Sequence, residues 1–255
     1  MTSAPNFHGK KEHMRSNISS SVSDLRSFGK RLMMIVGAAV LLGGCATGIK
    51  DTSRSFNTVV IDAGHGGHDY GARSRWGGQE KNNALSVAQR LDSILRAAGF
   101  KTVMTRKGDY FVTLNDRAKI SNRQSNAIFV SIHFNHSPKK RISGSEVYYK
   151  SPVSQATARN ILSQIDALPS SHARYTKTAN FRVLRLNRYP AVLVECGYMS
   201  NRSEGRLSAS TQHHERLASA IARALSQQRG RTFPEPTIVE AAPPASVPKP
   251  VAKAR

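Results

Sequence analysis

The chain has 255 residues, 39% of them hydrophobic, which is enough for one good-sized core with appendages. Lysine and arginine total 38 against 16 acids, a formal charge of +22, and about +15 of it falls on residues 58–230 (26 bases, 11 acids), so the partner is anionic: nucleic acid, anionic lipid or anionic polymer. No zinc-finger, helix-turn-helix or aromatic RNA-binding pattern is present, which sets nucleic acid aside, and the two cysteines, Cys45 and Cys196, are too few for a disulfide scaffold.

At the N-terminus, Lys30-Arg31 precede a short apolar stretch, residues 32–42, and then small residues. That order reads as a secretory signal over residues 1–44. About 11 residues is short for a membrane-spanning helix, which needs about 20. The ending Leu42-Gly43-Gly44-Cys45 resembles a bacterial lipobox. The resemblance implies that Cys45 becomes the lipidated first residue of the mature protein, with residues 45–57 as a tether. The chain is then anchored in the cell envelope through that lipid. Ala46 is not the aspartate linked with retention at an inner membrane, which points to the outer membrane, facing the periplasm, if the cell has two. The alternatives are an uncleaved anchor, a buried helix, or a disulfide between Cys45 and Cys196.

From residue 58 short apolar runs alternate with helical patterns. Runs 58–62, 101–105, 128–132, 145–149, 181–184 and 191–195 read as strands. In residues 83–98, Leu85, Ala88, Leu91, Leu95 and Ala98 recur at three- and four-residue steps, and Gly99 stops the helix. Residues 114–123, 153–168 and 212–227 predict three further helices. The alternation predicts a single α/β domain over residues 58–230, with a mainly parallel twisted sheet of about six strands and helices on both faces. Residues 231–255 are rich in Pro and Ala without an apolar period and read as a disordered tail.

Chemistry-bearing residues stand at the strand ends. His65 lies just past the first run, inside "IDAGHGGHDYGA" (61–72); His133 closes "AIFVSIH", and Glu195 closes "AVLVE". Ligands of open α/β sheets bind outside the carboxyl ends of the strands, so these three side chains converge. Glu80 stands just before the helix that opens at Asn82 or Asn83 and faces the same crevice. Two imidazoles and a carboxylate leave a fourth tetrahedral position open, the ligand set of a hydrolytic Zn2+ site. A further carboxylate off the metal is needed to move the proton. The glycines around His65 let the backbone turn sharply.

Six segments in order, "VVIDAGHGGHDYGA", "QEKNNALSVAQRL", "TRKGDYFVTLNDRAKISN", "FVSIHFN", "GSEVYY" and "AVLVECGYMSN", resemble the successive motifs of zinc-dependent N-acetylmuramoyl-L-alanine amidases (amidase type 3) across residues 58–225. The resemblance implies His65, Glu80 and His133 as zinc ligands and Glu195 as the catalytic residue. It implies peptidoglycan as substrate, cut between the lactyl group of N-acetylmuramic acid and L-Ala of the stem. Asn135 either touches substrate or fixes its turn. His68 and His136 are expected at the rim. Asp62 either orients a ligand imidazole or caps the turn. Arg106, Asp109 and Arg117 are expected in structural ion pairs, Cys196 as a buried small hydrophobe, and His213-His214 in solvent. Lys139, Lys140 and Arg141 follow His133 closely and are expected at the rim of the crevice, with Arg182, Arg185 and Arg188 extending the same face. The segment 150–180 has room for one helix, not for the blocking helix that some family members insert. A monomer is expected.

Overall fold

The structure, a computed structural model, describes residues 48–231 and residue 233. The expected signal segment, Cys45 and nearly all of the expected tail lie outside the described residues. Six strands make the main sheet: β1 (Thr58–Ala63), β4 (Lys101–Met104), β5 (Ala127–Asn135), β6 (Ser145–Tyr149), β7 (Ala173–Thr178) and β8 (Ala191–Tyr198). Their order is β4-β1-β5-β8-β6-β7. The first four are mutually parallel; β6 runs antiparallel to β8, and β7 parallel to β6. A two-stranded hairpin, β2 (Arg73–Ser74) and β3 (Gly78–Gln79), stands apart.

Helices cover both faces, which is why the central strands read as continuous apolar runs. On one face α1 (Glu80–Ala97), α3 (Gln155–Asp166) and α6 (Thr211–Gln228) pack Leu91, Leu95, Ile161, Ile165, Leu217 and Ile221 onto Ile61, Ile128, Ile132 and Val194. On the other, α2 (Leu114–Asn122) and α4 (Arg182–Arg185) pack over Val60, Phe129 and Leu193. A short α5 (Arg202–Leu207) follows β8. Strand alternation decides which residues share a face. Ile132 and Val194 point into the larger core, so His133 and Glu195 point to the thinner face, as Asp62 does on β1.

Three expectations change. Residues 181–184 are not a strand: they enter the single turn α4, where Val183 and Leu184 are both buried. The sixth strand is β7, "ARYTKT", an edge strand with most of its residues exposed and so without an apolar signal. His213 and His214 are not solvated but 6% and 5% exposed. His214 bridges helices through Ser86 Oγ (2.8 Å) and Ser208 O (2.7 Å). Part of the expected tether is folded onto the domain: Phe56 is fully buried and stacks on Phe100, and Lys50 N donates to Arg188 O.

Candidate active site

The loop after β1 places His65. Its φ is +60°, in the left-handed region, followed by Gly66 at +130° and Gly67 at +59°. A side chain other than glycine is uncommon there, and histidine is among the more tolerant. Two buried arginines clamp the loop's carbonyls. Arg106, 0% exposed, donates to Ala63 O, Gly64 O and Lys81 O. Arg117 donates to Ala63 O (2.6 Å) and His65 O (2.7 Å) and pairs with Asp62 at 2.8 Å. Asp62 also accepts from Thr105 Oγ1 (2.6 Å) and Ser131 Oγ (2.7 Å). It therefore holds the strand ends together and reaches the histidine only through Arg117. Asp109 pairs with Lys81 at 2.7 Å.

Glu80 is the first residue of α1, two positions earlier than the asparagines suggest. Its backbone N–H donates to Ala72 O across the hairpin, which replaces a side-chain cap. Its carboxylate lies between the two imidazoles: Oε1 is 3.0 Å from His65 Nε2 and 2.9 Å from His133 Nδ1. Phe134 N–H (3.0 Å) and Ala72 N–H (2.7 Å) fix the two oxygens. Burial alone would raise this carboxyl's pKa, but hydrogen bonds from His133 and His65 outweigh it and hold the value far below the ordinary range. For His65, burial works downward, and Glu80 and Asp69 outweigh it to give a raised pKa. Asp69 Oδ2 stands 2.9 Å from His65 Nδ1.

Two glycines make this closeness possible. A Cβ on Gly64 would fall 2.4 Å from the His133 ring. One on Gly71 would fall 2.5 Å from Glu80 Oε2 and 2.6 Å from the His65 ring.

Parallel pairing brings in Glu195. In register, His133 of β5 lies beside Glu195 of β8, and Glu195 beside Glu146 of β6. Glu195 Oε2 has no hydrogen-bond partner. Burial, then the charges on Glu80 and Glu146, push its pKa well up. A cation on the neighbouring ligands works in the opposite direction. Glu146 is fully buried and accepts from Tyr148 OH (2.6 Å), Tyr198 OH (2.7 Å), Arg174 Nε (2.6 Å) and Asn135 Nδ2 (3.2 Å). Burial would raise its pKa; the tyrosine hydroxyls and Arg174 outweigh that and hold it low.

The donor set fits a metal ion. The ligand atoms of His65, Glu80 and His133 all lie within 4.8 Å of one another. Bonds of about 2.0–2.2 Å would draw such atoms around one centre. These residues, with Glu195, line a cavity of about 810 Å³ whose rim carries Phe111, Leu114 and Phe181. Those three side chains are 42%, 51% and 41% exposed, an apolar rim that a polar cleft alone does not require. Asn135 and His136 line the cavity as well, and Arg182 joins them from α4. His68 is exposed and packs on Phe111 (ring centroids 4.3 Å apart). Cys196 is a free, buried thiol behind the site. Sequence reasoning missed Asp69 and Glu146. The one signal for Glu146 was a carboxylate opening an otherwise apolar strand, "SEVYY".

A mostly parallel α/β sheet with an imidazole–carboxylate–imidazole cluster at its carboxyl edge, and a spare carboxyl beside it, is an arrangement compatible with metal-assisted hydrolysis. The comparisons specify the family: the model of the N-acetylmuramoyl-L-alanine amidases matches residues 59–227, and the chain belongs to that family. The chain is 35% identical over 196 residues to the uncharacterised protein YqiI of Bacillus subtilis, covering 75% of this chain and 93% of that one. It is 30% identical over 211 residues to the N-acetylmuramoyl-L-alanine amidase AmiA of Salmonella typhimurium, covering 64% and 73%. Among solved structures it resembles the N-acetylmuramoyl-L-alanine amidase AmiC2 of Nostoc punctiforme, with 38% identity, a TM-score of 0.65, and coverage of 68% of this chain and 97% of that one.

Proposed function

We propose that the chain is a peptidoglycan amidase that cleaves the amide between the lactyl group of N-acetylmuramic acid and L-Ala of the stem peptide. His65, Glu80 and His133 hold zinc, and Glu195 moves the proton. The observation that carries this reading is the donor cluster of three with an unpartnered Glu195 oxygen next to it in strand register. When bound, zinc supplies Lewis acidity toward an amide carbonyl and lowers the pKa of water toward neutrality. Glu195 takes a proton from the attacking water and returns it to the departing L-Ala nitrogen, so that the amide and water become a lactyl carboxylate and a free amine. Asp62, through Arg117, holds the His65 loop in place, and Glu146 holds Asn135 at the rim, where Asn135 contacts substrate.

The side chains of His65 and His133 keep 22% and 18% exposure, and the segment after β6 is spent on α3 and the edge strand β7. The enzyme therefore works without an activator. Lipid on Cys45 tethers it in the cell envelope, at the outer membrane facing the periplasm if there are two membranes, and it acts as a monomer. The test is digestion of purified peptidoglycan by the protein alone, with mass analysis. Expected are free stem peptides with a new L-Ala amine and no new reducing ends. New reducing ends would mean a glycosidase, and cuts inside the stem a peptidase. The tether is checked separately: membrane fractionation should lose the protein in Cys45→Ser.

A further inference from the structure

A second cavity, of about 830 Å³, is lined by the β2–β3 hairpin, the loop after β5 and the segment that opens α5. Its wall carries five cations, Arg73, Arg75, Lys140, Arg202 and Arg206, around Trp76, and no acid. Among the described residues none of these five has a carboxylate within salt-bridge distance. Most of the domain's acids, by contrast, are paired. Gathering five like charges around one hollow is repulsive, and Arg202 and Arg206 stand at i and i+4 on one helix face, where like charges oppose the helix.

The cluster is nevertheless built. The guanidinium carbons of Arg75, Arg202 and Arg206 stand 4.1, 5.4 and 5.4 Å from the centre of the Trp76 indole, which orients them. The β2–β3 hairpin is locked to α5: a Cβ on Gly77 would fall 2.2 Å from Ser208 Oγ, and one on Gly205 2.7 Å from Met199 O and 3.1 Å from Trp76 Cβ. The Lys140 loop is tied to the same segment, with Asn201 Nδ2 donating to Lys140 O (3.0 Å) and Ser137 N to Ser200 Oγ (2.9 Å). All five cations are exposed, and the guanidinium forks among them match carboxylate oxygens two at a time.

The two cavities are linked along the chain. Ala72 lines the first and Arg73 the second, one peptide unit apart, and the chain passes from His136 of the first to Lys140 of the second in four residues. We propose that the cationic cavity is a subsite for the free carboxylates of the stem peptide beyond the scissile amide, so that the enzyme selects stems whose acids are not converted to amides. This rests on the amidase reading for the identity of the anion. The substrate's own acids are favoured over a phosphate because the hairpin segment 72–73 and the loop 136–140 each run from the wall of one cavity to the wall of the other.

Trp76 is the only tryptophan of the chain, so its fluorescence reports on this cavity whether or not catalysis occurs. The full chain is titrated with a synthetic stem tripeptide bearing free carboxylates, with the same peptide as its carboxamides, with inorganic phosphate, and with phosphatidylglycerol vesicles. A saturable change with the free-acid peptide is expected, with affinity at least about tenfold weaker for the carboxamide. The response should be lost in Arg202→Gln/Arg206→Gln, checked as folded by circular dichroism. In a parallel arm, wild-type kcat/KM should favour a muropeptide with free acids over its carboxamide, and Arg73→Gln/Arg75→Gln should bring that ratio toward one. No fluorescence response, an equal response to the carboxamide, or a response only to phosphate or vesicles overturns the proposal. Absence of any cleavage by the zinc-loaded wild type overturns the amidase reading instead, while the fluorescence arm still decides whether the cavity binds carboxylates.

Discussion

At the residue scale, the site depends on what two positions lack. Gly71 has φ +63°, and its missing Cβ is the space taken by Glu80 Oε2 and the His65 ring. Gly71→Ala must therefore displace either ligand or loop. Zinc content and turnover are expected to fall together, with the melting temperature changed far less than by a core deletion, since Gly71 itself belongs to neither apolar cluster. Glu195→Gln makes the complementary case. It keeps shape and removes the proton acceptor, so zinc should stay bound while turnover falls on the order of 10²–10⁴-fold. Metal analysis beside kinetics separates the two; full turnover in Glu195→Gln would remove it from the mechanism. The convergence of His65, Glu80, His133 and Glu195 was legible in the sequence because each stands at or just past the end of an apolar run or opens a helix, and topology brings such ends together. Glu146 was not, because its importance lies in strand register with Glu195 and in hydroxyls from residues as distant as Tyr198.

At the scale of elements, one carboxylate ties four of them. Asp62 of β1 accepts from Ser131 of β5, Thr105 just past β4, and Arg117 of α2. Burial would raise its pKa, but the Arg117 charge and the hydroxyls outweigh that and depress it. A depressed carboxyl stabilises the fold above its unfolded value, near 3.8, and that contribution disappears as pH falls through the folded value. Asp62→Ala should destabilise by about 3–5 kcal/mol in urea melts at neutral pH, because it leaves Arg117 buried without a counter-charge. The reading of elements failed where burial did not follow the apolar pattern. β7 is a strand by pairing alone, its side chains mostly in solvent. The 181–184 run looked extended because apolar neighbours in sequence can also share one tight turn. The polar start of α6, "TQHH", hid the fact that its first turn packs against Ser86 of α1 and the end of α5.

Those histidines have a consequence for the pH range of the whole fold. His213 is held down to about 4, by burial first and then by the charges of His214 and Arg216. A histidine whose folded pKa lies below its unfolded value favours the fold when neutral. That stability is fully present above about 6.5 and is lost as pH falls toward 4. A shift of this size corresponds to a loss on the order of 3 kcal/mol across that window. Thermal melts of wild type and His213→Gln at pH 7.5 and 4.5 check it: the wild type should lose more on acidification than the variant, whatever the variant's stability at pH 7.5. Equal losses would place the acid sensitivity elsewhere.

The charge of the whole molecule acts on a different quantity. Of the chain's formal +22, about +15 falls on residues 58–230, and five of those cations gather around one hollow rather than being spread evenly. Lys139, Lys140 and Arg141 were expected at the rim of the catalytic crevice; all three are exposed, but none lines the cavity of the His–Glu–His cluster, and only Lys140 lines the cationic one. A field of this sign draws an anionic polymer toward the cleft and raises encounter rate and retention. Exposed charges are screened within about 8 Å at physiological ionic strength, so their influence belongs to binding rather than to bond cleavage. Changing Lys139, Lys140 and Arg141 together to Ala should weaken cosedimentation with insoluble peptidoglycan at low salt by several-fold, and the difference from wild type should shrink as salt is added. The initial rate on intact peptidoglycan should follow the bound fraction. Were cosedimentation indifferent both to salt and to the triple substitution, the excess charge would have to be assigned to solubility or to docking on anionic lipid, and the wall polymer would be held by the cleft alone.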